Sequence, residues 1–245
     1  MSMLGLSTCI CYSTPPNSLS FCGPDWENIK HYQRAKIVDA SVKNHLTQYQ
    51  TLFSYLSYIA GENNIFDQFD LEVVKAYWIG NKLLHNLDIN RFYYHLRDTL
   101  NLKKRLKRSE LEQLFGKLPQ GALPNHSFHV LNVPWRTGHL PIEHTLDTLD
   151  QCRISWGKVT KVKRSELEVV SPRLEYDSVS LKLSEPKKHI VSYSTDEIKK
   201  GDLVSFHWGV LCEKLTDIDV GNLVYYTNIA IKLANEDIRT REHFS

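Results

Sequence analysis

The stretch CRISWGKV, residues 152–159, decides how this chain of 245 residues is read. Ile154, Trp156 and Val159, with Val162 beyond them, stand among Lys and Thr in the period-two texture of a strand. Similar short runs follow at 167–170, 179–183, 190–193 and 203–206, each bounded by turn residues. A helix closes the chain, with Thr216 and Asp219 as its cap and Leu223, Tyr226, Ala230 and Leu233 as its apolar face. About five strands and one helix in roughly 90 residues predict a small, closed or partly open β-barrel.

N-terminal to this stretch the period changes. Leu46, Tyr49, Phe53 and Leu56 share one face of a helix that ends near Gly61. Asp70 caps a second, carrying Leu71, Val74, Trp78 and Leu84, and Asp88 a third, with Ile89, Phe92, Leu96 and Leu100 inward. Ser109 to Glu112 has the capping-box pattern of a short fourth, and residues 25–40 read as helical with poorer spacing. The Ser-, Pro- and Cys-rich residues 1–24 read as an irregular leading segment. Residues 118–148, rich in Pro, His and Trp, read as a structured connector. The expected fold is α+β in two domains: a helical bundle with its connector over 25–148, then a β-barrel with a C-terminal helix over 149–245.

Composition limits the function classes. With 42 % hydrophobic and 24 % charged residues the chain can bury a sizeable core and is not a disordered tract. A net charge of +2 offers no broad basic face for nucleic acid or an acidic membrane. No apolar run has the length of a membrane span, and residues 1–16 lack the basic start and continuous apolar core of a signal peptide. Five scattered cysteines, an odd number, do not form a disulfide framework and point to a reducing cytoplasm.

Two motifs carry a resemblance. Gly157, Lys158 and Val159 follow Cys152 at fixed offsets, and residues 201–209 read GDLVSFHWG: a Gly-Asp turn, a hydrophobic strand, then His207 ahead of a glycine. Together with the closing helix, they resemble the HypC-type chaperones of [NiFe]-hydrogenase maturation. The resemblance implies a HypC/OB-like barrel that holds an iron bearing cyanide and carbon monoxide, together with a HypD-like partner, for delivery to the hydrogenase large subunit. It implies Cys152 as the iron ligand, a thiolate suited to low-spin iron, with His207 beside it. Lys158 would keep that thiolate ionised, and Lys158, Trp156 and Trp208 would face a partner. In the family the cysteine becomes the amino terminus; here Cys152 is internal and brings a backbone amide, and Trp156 replaces the usual proline.

Other residues lie outside the resemblance. His126, His129, His139 and His144 cluster in the connector, and the spacing of His126 and His129 allows two imidazoles on one metal if the segment turns; connector histidines more often bond backbone. Cys9, Cys11 and Cys22 form a weaker thiolate candidate, and Cys212 reads as packing. The basic run 103–108 reads as a solvated loop, then as a docking patch. No phosphate loop, serine triad or zinc-protease motif occurs. The leading expectation is a cytoplasmic accessory protein of hydrogenase maturation rather than an enzyme. The alternative is a metal-dependent enzyme using the connector histidines, with the barrel as a lid. An oligonucleotide-binding barrel ranks third, because Glu166, Glu168 and Glu175 oppose a basic face.

Overall fold

Residues 3–17, expected to be irregular, form a buried helix, α1 (Met3–Asn17), in the computed structural model, which describes residues 3–24, 38, 40–135, 143–194 and 197–238. Pro15 and Pro16 sit in its last turn, where ring nitrogens in place of N–H groups end the helical ladder. The expected helix over 25–40 lies almost wholly outside the described residues.

The helices that follow are α2 (Ala40–Leu46), α3 (Gln50–Glu62), α4 (Leu71–Trp78), α5 (Ile89–Tyr94), α6 (Arg108–Gly116), α7 (His126–Asn132) and α8 (Leu146–Cys152). The expected caps of α4 and α5 are present: Asp70 accepts from the Glu72 N–H, and Asp88 from the Asn90 and Arg91 N–H groups. At α6 the box is displaced, with Glu110 accepting from the Lys107 N–H at 2.8 Å while Glu112 pairs with Arg108. Ile89, placed inward by periodicity, is exposed, whereas Phe92 and Leu96 are buried. The connector over 118–148 contains α7 and the first residues of α8.

The second half forms β1 (Ser155–Val162), β2 (Glu166–Ser171), β3 (Leu174–Tyr176), β4 (Leu181–Leu183), β5 (Lys187–Ser192), β6 (Leu203–His207), β7 (Val210–Lys214) and the final helix α9 (Asp217–Ile238). Five strands make a mixed sheet in the order β1-β2-β5-β7-β6, and β6 pairs back onto β1. Gly157 is required here, because a Cβ on it would lie 2.3 Å from the Val170 carbonyl oxygen. The expected strand at 179–183 is instead a separate hairpin of β3 and β4, tied to α9 by paired bonds between Leu181 and Asn235. Periodicity missed β7, which is half of a tight hairpin with β6.

The two ends of the chain cross over. α1 packs on β6 and β7, with the Tyr12 hydroxyl between Ser205 (2.8 Å) and Glu213 (2.6 Å). α9 keeps the expected reciprocal cap between Thr216 and Asp219, but it lies along α7, bonded through Ser127–Thr227 and Asn132–Ala230. The largest apolar cluster therefore contains Leu6, Trp78 and Phe128 together with Ile154, Trp156, Cys212 and Tyr226. The boundary expected near residue 148 does not interrupt this core. Among the described residues no helix is long and apolar enough to cross a membrane.

Candidate metal centre

Three elements converge where the helices meet the sheet. Asn125 caps α7 by accepting from the Ser127 N–H, and its amide donates to the Ala76 and Tyr77 carbonyls at the end of α4. That clamp sets His126 against Trp78, ring centroids 4.5 Å apart. Cys152 ends α8. The Arg153 guanidinium, fully buried, then pins the chain through Asp150 and the Pro172 carbonyl. His207 ends β6 at a two-residue turn in which Trp208 (φ 50°) and Gly209 (φ 70°) are both left-handed, as a tight hairpin needs. The Trp208 N–H donates to the Gln151 carbonyl at 3.1 Å, which joins this turn to the last turn of α8.

The result is a group of His126, Cys152 and His207 whose ligand atoms all lie within 4.8 Å of one another. Among the described residues it is the one cluster of this kind. The two imidazoles are engaged differently. His207 Nδ1 donates to the Tyr12 carbonyl at 2.7 Å, which leaves Nε2 as the lone pair, buried and without a hydrogen bond. His126 Nε2 donates to the Cys152 carbonyl at 2.9 Å, so its lone pair is on Nδ1, where the Tyr77 hydroxyl donates at 3.2 Å. A backbone carbonyl holding one ring nitrogen is the usual outer support of a metal-bound histidine.

The carbonyl that holds His207 is available because of the sequence. In an uninterrupted helix Tyr12 O would accept from residue 16, but residue 16 is proline and brings no N–H. Burial lowers the His207 pKa from 6.5 to about 4, against the smaller upward pull of the Tyr12 carbonyl, so the ring is neutral at physiological pH. Burial likewise holds the Tyr77 hydroxyl protonated, with Tyr55, Cys22, Cys152 and Cys9 adding to the effect.

A cavity of about 40 Å³ adjoins the three ligands, lined also by Cys22, Tyr77 and Trp208. That is room for a small ligand of a few atoms. A larger open groove over β1, β2 and β5, with Lys161, Lys188, Lys199 and Lys200 on its rim, lines up no such group of ligands.

The other expected site residues fall elsewhere. His129, one turn along α7 from His126, bonds the Tyr55 hydroxyl at 3.2 Å in the helical core, so the two do not share a metal. His144 is exposed ahead of α8, and His139 lies outside the described residues. Trp156 is buried beneath the Arg153 guanidinium, and Trp208, half-buried, meets the Phe21 ring at a tilt beside the cavity. Lys158 is exposed and does not line the cavity, so the role of holding the thiolate ionised is not supported, while its outward position remains. Cys9 is buried in the core with its thiol pushed up to about 12, chiefly by burial, and does not cluster with Cys11 and Cys22 into a metal group. Cys212 is buried, as packing requires. The Pro15-Pro16 pair is the signal that would have pointed to Tyr12.

Fold and site together define an α+β protein with a half-buried thiol and two buried imidazoles at the junction of its helices and its sheet. The chain belongs to the DUF6390 family, a family of unknown function, whose model matches residues 2–241. No curated protein and no solved structure matches it.

Proposed function

We propose that this protein is a metal-carrying accessory protein of the HypC type, acting in [NiFe]-hydrogenase maturation, with iron held by Cys152, His207 and His126. The observation that carries the reading is the convergence of those three residues. Cys152 and His207 belong to the two motifs on which the resemblance rests, 55 positions apart in sequence, and they meet in space. His126 is the addition. It brings a nitrogen donor where the family has the free amine of its terminal cysteine. One thiolate and two imidazoles suit iron, zinc or copper, so ligand type alone leaves the metal open, and the resemblance selects iron. The partner would be a HypD-like protein or the immature large subunit, with Lys158 on the exposed face.

The test is anaerobic purification of wild type and Cys152→Ala from a host that expresses the hydrogenase maturation proteins. Infrared bands in the cyanide and carbonyl stretching region, lost in the variant, are the expected result, together with a co-purifying maturation protein. Absence of both bands and partner from the wild type would overturn the reading.

A second reading rests on the cavity. Three protein ligands beside a space for a small molecule also describe a catalytic metal centre, which keeps one position for water or substrate. Metal that stays bound at one equivalent and is not passed to a large subunit would favour it.

A further inference from the structure

We propose that the small cavity between the amino end of α3, the loop at residues 99–105 and Trp135 binds a phosphate-type oxyanion, free or carried by a larger molecule, with Arg105 as its counter-charge. The cavity measures about 50 Å³, and Gln50, Thr51, Thr99, Asn101, Arg105 and Trp135 are among the residues that line it. One water needs about 10–15 Å³ of such space, so the cavity holds about three to five oxygen-sized atoms, which is the size of this anion. Thr51 and His129 line both this cavity and the one at the metal centre, but none of the three candidate metal ligands borders it. The inference is therefore independent of the metal reading.

The lining is rich in donors and, among the described residues, holds no carboxylate. Arg105 is half-buried, yet among the described residues it makes no ion pair. Its guanidinium lies over the Trp135 ring, 4.7 Å from the centroid. A contact through the flat face leaves the N–H groups in its plane open to a fork of oxygens. The Trp135 indole Nε1 is buried and makes no hydrogen bond, and a buried donor of that kind marks a place where an acceptor belongs. On the third side, α3 begins with neither a side-chain cap nor an acidic residue in its first turn, so its positive end is uncompensated. Asp98, the nearest carboxylate in sequence, pairs with Arg97 and Lys103 and does not line the cavity.

Local backbone geometry turns one cation of the basic run 103–108 inward. Asn101 is left-handed, at φ 55°, and Leu102–Lys104 form a single 3₁₀ turn. Residues three apart eclipse in such a turn, so the buried Leu102 draws Arg105 to its own side and leaves Lys103 and Lys104 exposed. Gln50 and Thr99 are exposed, which gives an anion its way in from solvent. The amides of Gln50 and Asn101 and the hydroxyl of Thr99 add neutral donors to the guanidinium and the indole. Donors from several sides suit the four oxygens of phosphate better than the two of a carboxylate.

The experiment titrates the full-length protein with inorganic phosphate, methyl phosphate and acetate at constant ionic strength, followed by calorimetry and by the indole N–H resonances in NMR spectra. Wild type is compared with Arg105→Gln, Trp135→Phe and, as a control in the exposed part of the basic run, Lys104→Gln. Circular dichroism confirms that each variant is folded. The indole resonance missing from Trp135→Phe identifies that N–H in the wild type. One phosphate per chain should bind and shift this resonance. Arg105→Gln should weaken binding about 10-fold or more and Trp135→Phe about 3- to 10-fold, while Lys104→Gln changes it by less than about 2-fold. Should Arg105→Gln fail to fold, the indole shift and Trp135→Phe decide alone. Methyl phosphate bound as tightly as phosphate would make the natural ligand a phosphate group on a larger molecule, and its exclusion would make it the free ion. No saturable phosphate binding, acetate binding as tightly as phosphate, or undiminished affinity in the folded variants would each overturn the proposal.

Discussion

Tyr77→Phe should tighten metal binding, although it removes a hydrogen bond to a proposed ligand. The Tyr77 hydroxyl donates to His126 Nδ1, the lone pair on which a metal must settle, because Nε2 is already committed to the Cys152 carbonyl. A metal at Nδ1 therefore strips a buried hydroxyl of its acceptor, at a cost of about 1–3 kcal/mol. The adjoining cavity lets the hydroxyl recover part of this, so the lower half of that range applies. Phenylalanine has no proton to strand, and affinity should rise by about 5- to 30-fold, the equivalent of about 1–2 kcal/mol. The apoprotein should lose about 1 kcal/mol of stability, a fall of roughly 2–4 °C in Tm for a chain of this size. Competition of apoprotein and variant for Zn2+ against a chromophoric chelator gives the affinities, and thermal unfolding of the apo forms gives the second quantity. A tenfold or greater weakening of zinc binding would refute the reasoning, since it would make Tyr77 a support that orients His126 rather than a competitor for its lone pair.

Two further outcomes follow from the same packing. His95 is buried against Tyr58 and Tyr55, and burial lowers its pKa from 6.5 to about 4. Between those values the unfolded chain binds a proton that the native ring refuses, so its contribution is complete above pH 6.5 and declines as pH falls towards 4. Urea unfolding at pH 7 and pH 4.5 should show wild type losing about 2–3 kcal/mol more than His95→Gln, and equal losses would contradict the assignment. Gly80 ends the α4 turn at φ 95°, where a Cβ would stand 1.9 Å from the Tyr226 ring. Gly80→Ala should cost about 2–4 kcal/mol from left-handed strain and overpacking together, measured by chemical denaturation, and a loss below about 0.5 kcal/mol would show that α9 yields freely at that point.

Much of the secondary structure was legible because it depends on neighbours in sequence. The caps at Asp70, Asp88 and Thr216 bind N–H groups two or three residues away, and the faces of α3 and α9 repeat at helical spacing. The failures have the opposite character. Helix α1 has little segregation of polar from apolar residues because it is buried on most sides, so a pattern-based reading found only its prolines, serines and cysteines. Strand β7 was hidden by its short run and by the Trp208-Gly209 turn, which carries tryptophan where such turns favour asparagine or glycine.

The candidate site divides in the same way. Sequence alone singled out Cys152 and His207 by motif and the connector histidines by their density, but it set them in two competing schemes. It determined which donor types are present, the strand-end position of His207 and the proline that frees the Tyr12 carbonyl. Only the tertiary structure decided that His126 joins Cys152 and His207 while His129 turns away, and that Cys22 from the leading segment borders the same cavity. The physical reason is that a buried metal site needs donors from several directions around one point. Neighbours along one strand or helix approach from too few of them, so the missing donors come from segments far apart in the chain, and chain pattern does not encode that meeting.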